Sequence, residues 1–292
     1  GRSMHRFFLP LFLLLAPLLV MSSSKMCVGN EISDEEKEWM RKIDEAVKAE
    51  GLMVENRFML AAYAIVSKGD VAKALHRIRN WNRIVTTHRI NETSEKEATQ
   101  WFKVNMVDVF YSVGRDAEGM TGYGIRNGNF RPDKVVTDDD LRCFLRGLSD
   151  NLKSNTMTIE DVRRGSFFMG DMSTMAWENF NLNLQKKMVG VLQDSFPIKL
   201  KRLVFVNPPS FIWALIKIMS VFMKKKLVDR IKPIQMSDVP QLFSDTANVP
   251  AHMGGGMTLD AWEKRENQLK IYRASVAEVE SGGGPRAATV AM

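Results

Sequence analysis

The residues best suited to binding chemistry are a cluster of basic side chains beside an apolar segment. Residues 196–232 contain nine basic residues and one acidic residue, so the net charge of this stretch is +8, against +7 for the whole chain. The basic residues are Lys199, Lys201, Arg202, Lys217, Lys224, Lys225, Lys226, Arg230 and Lys232. Basic charge beside an apolar helix is typical of contact with an anionic membrane surface. Nucleic-acid contact does not require such an apolar neighbour, so we expect no nucleic-acid partner.

An apolar helix must position these charges. Residues 211–223 contain only two polar side chains, Lys217 and Ser220. We predict one helix here, with Ser210 as its N-cap and the lysines 224–226 at its C-terminal end, where cations interact favourably with the helix dipole. Thirteen residues are too few to span a bilayer, which needs about 20. Two interpretations remain open: a core helix with a solvated last turn, or a helix that faces a ligand or a membrane surface.

The preceding segments predict a βαβ unit. Residues 203–206 and 165–171 are short apolar runs typical of buried strands, and residues 121–125 read as a further short strand. Apolar residues recur at helical spacing between the two runs, at Trp177, Phe180, Leu184, Met188 and Val191. A strand–helix–strand unit needs a right-handed crossover and a mainly parallel sheet. We therefore predict the α/β class.

Four segments of the second half carry a family resemblance. They are residues 194–199 (DSFPIK), 206–211 (VNPPSF), 228–231 (VDRI) and 249–255 (VPAHMGG). They resemble the CRAL-TRIO lipid-binding family, and within it the tocopherol-transfer and retinaldehyde-binding branch. The resemblance implies a mainly parallel sheet that floors a lipid pocket, a mobile gate helix that covers it, and a small all-helical N-terminal lobe in front.

The resemblance also implies two sets of site residues. For the lipid pocket we predict Phe167, Met169, Trp177, Phe180, Met188, Val191, Ile198, Leu203, Phe211, Leu215, Met219 and Phe222. For binding of phosphoinositide head groups and the membrane we predict Lys199, Lys201, Lys224, Lys225, Lys226 and Arg230. Ile198 stands where the phosphatidylinositol-transfer branch has a glutamate, which favours a peripheral phosphoinositide contact over internal binding of phosphatidylinositol.

We divide the chain into four parts. They are a leader, signal-like or non-native segment (1–30), an N-terminal helical lobe (31–95), the lipid-binding domain (96–280) and a disordered tail (281–292). Ser33 and Glu36 form a capping box that starts the lobe. Residues 4–24 resemble a signal peptide, although Met21 also suits a cytosolic start. We expect a cytoplasmic, peripheral membrane protein, with a secretory route open if residues 4–24 are a signal peptide.

Motifs for other chemistry are missing from the sequence. Two cysteines, Cys27 and Cys143, cannot form a disulfide scaffold, and the four histidines have no metal-ligand spacing. The sequence contains no Gly-x-Ser-x-Gly, HExxH or Walker motif. We predict a monomer without enzymatic activity, cofactor or metal that binds a lipid of the tocopherol, retinoid or phospholipid class and carries it between membranes. The alternatives are a non-transferring recruitment or signalling module and a lipid-modifying enzyme.

Overall fold

A mixed sheet forms the centre of the molecule. The computed structural model describes residues 29–257 and 260–282, so most of the expected leader and the tail from residue 283 lie outside the described residues. In spatial order the strands are β1 (Phe110–Arg115), β2 (Thr121–Arg126), β3 (Ser166–Asp171), β4 (Leu200–Val206) and β5 (Ile231–Ile234). Strand β1 is antiparallel to β2, and the other neighbours are parallel. The mainly parallel α/β sheet is confirmed.

Ten α-helices surround this sheet in the described residues. They are α1 (Asp34–Ala49), α2 (Arg57–Ser67), α3 (Val71–His88), α4 (Glu95–Asn105), α5 (Asp138–Asn155), α6 (Ile159–Arg164), α7 (Leu182–Asp194), α8 (Ile212–Met219), α9 (Lys225–Val228) and α10 (Ala261–Glu280). The first three form the predicted helical lobe. Ser33 caps α1 in the predicted capping box, because its hydroxyl accepts a hydrogen bond from the Glu36 amide at 3.2 Å.

The largest apolar cluster joins the helical lobe to one face of the sheet. It includes Phe58 of α2, Phe144 of α5 and Phe196 before β4, all fully buried. Trp81 of α3 packs edge to face on Phe196 with ring centroids 5.6 Å apart. The lobe and the sheet therefore share one core, and the division at residues 95 and 96 stays a prediction.

Glycines in β2 let aromatic rings lie flat across the sheet. A Cβ atom at Gly122 would come within 2.1 Å of the Phe167 ring, and one at Gly124 within 2.1 Å of the Tyr111 ring. Both rings belong to the apolar cluster on the second face of the sheet, which packs against the segment 236–253. Larger residues at these two positions would push the rings away, so the glycines are needed for close packing.

The predicted gate helix is shorter than expected. Helix α8 ends at Met219, and Lys224 is the N-cap of the separate helix α9, so the lysines do not extend α8. Gln193 of α7 stabilises the turn between the two helices, since its side chain donates to the Phe222 carbonyl at 2.9 Å and accepts from the Lys224 amide at 3.1 Å. Ser210 does not cap the helix either, since Phe211 occupies the N-cap position without a side-chain hydrogen bond.

Candidate functional site

An apolar cavity of about 120 Å³ lies between the sheet and helices α7 and α8. The sheet contributes Tyr123, Phe168 and Phe205, and α7 contributes Val189 and Leu192. Helix α8 covers the cavity with Ile212, Leu215, Ile216 and Met219. Because almost the whole lining is apolar, the cavity suits hydrocarbon and offers little to a charged group.

Five of the predicted pocket residues line this cavity. They are Phe180, Met188, Leu203, Leu215 and Met219. They come from the loop before α7, from α7 itself, from β4 and from α8, so the chain brings together residues that are far apart in sequence. That these five residues contact a lipid stays a prediction.

Two predicted residues on β3 lie on the wrong side of the sheet. Phe167 and Met169 pack in the second-face cluster, and the side chain between them, Phe168, lines the cavity instead. Successive side chains of a strand point to opposite faces, so an error of one residue reverses the whole strand. The pocket assignment of Phe167 and Met169 is corrected accordingly.

The other five predicted pocket residues also lie outside the lining. Val191 and Ile198 are buried in the main core, on the side that meets the helical lobe. Trp177 precedes α7 in a 3-10 turn, is 56% exposed and stacks on Phe211 with ring centroids 4.9 Å apart. Phe222 packs beside Lys186, whose ammonium lies 5.5 Å from its ring centroid. The helix predicted from Trp177 begins only at Leu182, because Asn181 caps it.

The outer face of α8 and the turn after it are exposed and apolar. Trp213 is 50% exposed, Ile218 45% and Val221 88%, whereas Ile212 and Leu215 on the inner face are buried. Helix α8 is thus apolar on both faces, one towards the cavity and one towards solvent. The exposed face also carries Lys217, and exposed apolar side chains grouped on one helix are typical of an interaction surface.

The six predicted basic residues fall into three groups. Lys224 pairs with Asp194, and Lys225 pairs with Asp229 at 2.8 Å. The side chains of Lys199 and Arg230 donate to backbone carbonyls, of Arg163 and Leu200 respectively. Lys201 and Lys226 are exposed and have no acidic partner among the described residues.

Positive charges accumulate around Lys199. Burial lowers the pKa of Lys199 below its ordinary value, and the nearby charges of Lys201 and Lys68 lower it further. An anion bound beside these lysines would relieve the repulsion and raise the pKa of Lys199. Their use as a phosphoinositide site stays a prediction.

Neither a metal site nor a membrane-spanning helix is found in the part of the chain that the structure describes. Across residues 29–257 and 260–282, no group of three His, Cys, Asp or Glu side chains is arranged to hold a metal ion. In the same residues, no helix combines the length and apolarity that crossing a bilayer requires.

Comparison with known proteins identifies the family. The tyrosine-protein phosphatase non-receptor type 9 of Homo sapiens is 31% identical over 103 residues, which are 35% of this chain and 17% of that protein. The alpha-tocopherol transfer protein-like of Homo sapiens is 25% identical over 142 residues, which are 48% of this chain and 41% of that protein. Each match spans less than half of the relative, so the activities of those proteins do not transfer directly.

A solved structure and a family model agree with these matches. The crystal structure of Sfh5 has a TM-score of 0.56 and 13% identity, and the match covers 85% of this chain and 99% of that one. Residues 105–255 match the model of the CRAL/TRIO domain, and these residues include all five strands. The chain therefore belongs to the CRAL/TRIO domain family.

Proposed function

We propose that this protein binds a hydrophobic lipid in the cavity beneath α8 and carries or presents it between membranes. The observation that carries the proposal is a helix that closes an apolar cavity with one face and exposes apolar side chains on the other. Withdrawal of each buried methylene group from water is worth about 0.8 kcal/mol. Passage from a bilayer to an apolar cavity is close to neutral, so a carrier needs a dry cavity and a movable cover.

The size of the cavity favours a movable cover. Its volume of about 120 Å³ is similar to that of engineered cavities of about 150 Å³ that bind benzene. A long-chain lipid of the tocopherol, retinoid or phospholipid class needs more space, which displacement of α8 provides. Non-helical segments on both sides of α8, residues 207–211 and 220–223, supply the freedom for this displacement.

The hinge on the N-terminal side of α8 is firmly anchored. Asn207 adopts a left-handed conformation with φ +47°, and its side chain accepts from the Met236 amide at 2.9 Å and donates to Ser173 at 3.2 Å. Rotation of α8 about this point exposes the cavity and brings Trp213 and Ile218 into contact with a membrane. Lys201 and Lys226 add attraction to anionic lipids such as phosphoinositides, which makes the protein a peripheral membrane protein on the cytoplasmic side.

Two measurements test the proposed function. Native mass spectrometry of the purified protein should show one unmodified lipid per chain, and a fluorescent lipid should move from donor to acceptor vesicles faster with the protein than without it. Absence of both contradicts the proposal. Vesicle binding without transfer would favour a non-transferring recruitment module, and conversion of the lipid to a product would favour an enzyme.

The double substitution Lys201→Ala and Lys226→Ala should weaken binding to phosphoinositide vesicles. Each lysine contributes about 1 kcal/mol at an anionic surface, so we expect the affinity to fall roughly 30-fold at low salt and much less at high salt. Co-sedimentation with vesicles measures the change. Lys96→Ala with Lys270→Ala is the matched control, because both lysines are exposed and lie on α4 and α10. Equal losses in the two double variants would show that only net charge matters.

A further inference from the structure

A second, smaller cavity lies on the same face of the sheet, against α5 and α10. Its volume is about 10 Å³, which corresponds to one water molecule or one hydroxyl group. Its lining is more polar than that of the large cavity: four of the eight lining residues are Asn151, Ser154, Asn155 and Arg265, and the other four are aromatic. Tyr123 of β2 lines both cavities and therefore forms part of the wall between them.

Two polar atoms of this lining have no hydrogen-bond partner among the described residues. They are the Tyr123 hydroxyl and Oδ1 of Asn155, and both are buried. The Asn155 amide is oriented by its Nδ2, which donates to the Asn151 carbonyl at 2.7 Å, so its unpaired atom is an acceptor. Burial raises the pKa of Tyr123 and keeps its phenol protonated. Unpaired buried polar groups are costly, which favours an occupant that pairs with them.

Asn151 and Ser154 of the small cavity make hydrogen bonds within the lining. Asn151 Oδ1 accepts from Nε of Arg265 at 2.6 Å, and the Ser154 hydroxyl donates to the Asn151 carbonyl at 2.8 Å. The guanidinium of Arg265 lies 3.9 Å from the buried carboxylate of Asp150, which balances its charge. Among the lining atoms, those that are both buried and unpaired in the described residues are one acceptor and one phenol, and the positive charge of Arg265 already has an acidic neighbour.

We propose that the small cavity binds a single hydroxyl group and that the lipid carried in the large cavity is an alcohol. A hydroxyl group donates to Asn155 Oδ1 and accepts from the Tyr123 phenol, whereas an ether or a carboxylate only accepts. This inference rests on the proposed lipid binding and adds the chemical class of the ligand. Its hydrocarbon body occupies the large cavity, and its hydroxyl group passes Tyr123 into the polar one. Water has the same hydrogen-bonding chemistry, so the experiment must separate the two.

Competition between matched ligands tests the inference. Pyrene serves as a fluorescent probe of the large cavity, and hexadecanol, hexadecyl methyl ether and palmitate compete for it. In the wild-type protein, hexadecanol should displace pyrene at roughly tenfold lower concentration than the ether, since the ether leaves the Asn155 acceptor unpaired. In Tyr123→Phe, hexadecanol and the ether should both compete roughly fivefold more weakly, because each loses the hydrogen bond from the phenol, and their ratio should stay near tenfold.

A second buried tyrosine provides the matched control. The Tyr63 hydroxyl on α2 is likewise buried without a partner among the described residues, and Tyr63 lines neither of the two cavities. Tyr63→Phe should leave the competing concentrations of both hexadecanol and the ether unchanged.

Four outcomes would overturn the inference. Equal competition by alcohol and ether in the wild-type protein, or unchanged competition by hexadecanol in Tyr123→Phe, would mean that the small cavity holds only water. Stronger competition by palmitate would mean that an anion is preferred. Failure of pyrene and of all three competitors to bind would overturn the proposed function as well. The wild-type comparison decides the question even if Tyr123→Phe does not fold.

Discussion

Replacement of Val189 by tryptophan is expected to abolish retention of the lipid and to slow its transfer at least about tenfold. Val189 lies on α7, is buried and lines the large cavity. The larger side chain occupies volume that the ligand needs, and steric exclusion of a ligand from a cavity costs most of its binding free energy. Native mass spectrometry of the purified variant and the vesicle transfer assay measure the two effects.

Filling of the cavity should not damage the fold. Because the added ring enters a space of about 120 Å³, we expect the melting temperature of Val189→Trp to stay unchanged or to rise. Val136→Trp is the matched control, since Val136 is exposed and lies outside the cavity. A folded Val189→Trp protein that still retains and transfers lipid would show that the ligand binds elsewhere.

Loss of membrane binding is expected when both Trp213 and Ile218 are replaced by aspartate. Burial of a large apolar side chain is worth about 1.5–3 kcal/mol, and a carboxylate adds repulsion from anionic lipids. We therefore expect the vesicle affinity to fall at least about 100-fold, which corresponds to 2.8 kcal/mol. Because both side chains point away from the cavity, lipid already bound should remain bound.

The control for this variant carries the same change elsewhere. Met53 and Val104 are exposed apolar residues outside α8 and outside the large cavity. Met53→Asp with Val104→Asp should reduce vesicle binding only through its charge, by much less than the α8 variant. If the two double variants lose affinity equally, the outer face of α8 is not the membrane contact.

The centre of the sheet could be predicted from sequence, and its edges could not. β3 and β4 are continuous apolar runs with a helix of regular periodicity between them, which is the pattern of a buried parallel pair. β1 and β5 gave no such signal. β5 contains Pro233, which is tolerated because the strand lies at the edge of the sheet. The position of β5 is set by its pairing with β4, in which Leu203 lies opposite Ile231.

The location of the pocket could be predicted better than its lining. β3 is apolar at both alternating positions, because one face meets the cavity and the other meets the second-face cluster. The sequence of β3 therefore has no alternation of polar and apolar residues that would show that Phe168, and not Phe167, faces the cavity. The polar cavity could not be predicted at all, because Tyr123 and Asn155 meet only through the packing of α5 on the sheet.

The two ends of α8 are held with unequal strength. Asn207 ties its beginning to two segments of the sheet layer, whereas Gln193 holds the far end through two hydrogen bonds to the turn that follows Met219. Each hydrogen bond contributes about 1 kcal/mol net, so the two bonds of Gln193 stabilise the closed position of α8 by about 2 kcal/mol. If only these two hydrogen bonds held the far end of α8, the form in which both are broken would amount to a few per cent of the molecules. We expect a cover restrained in this way to open from the Gln193 side and to reclose without unfolding.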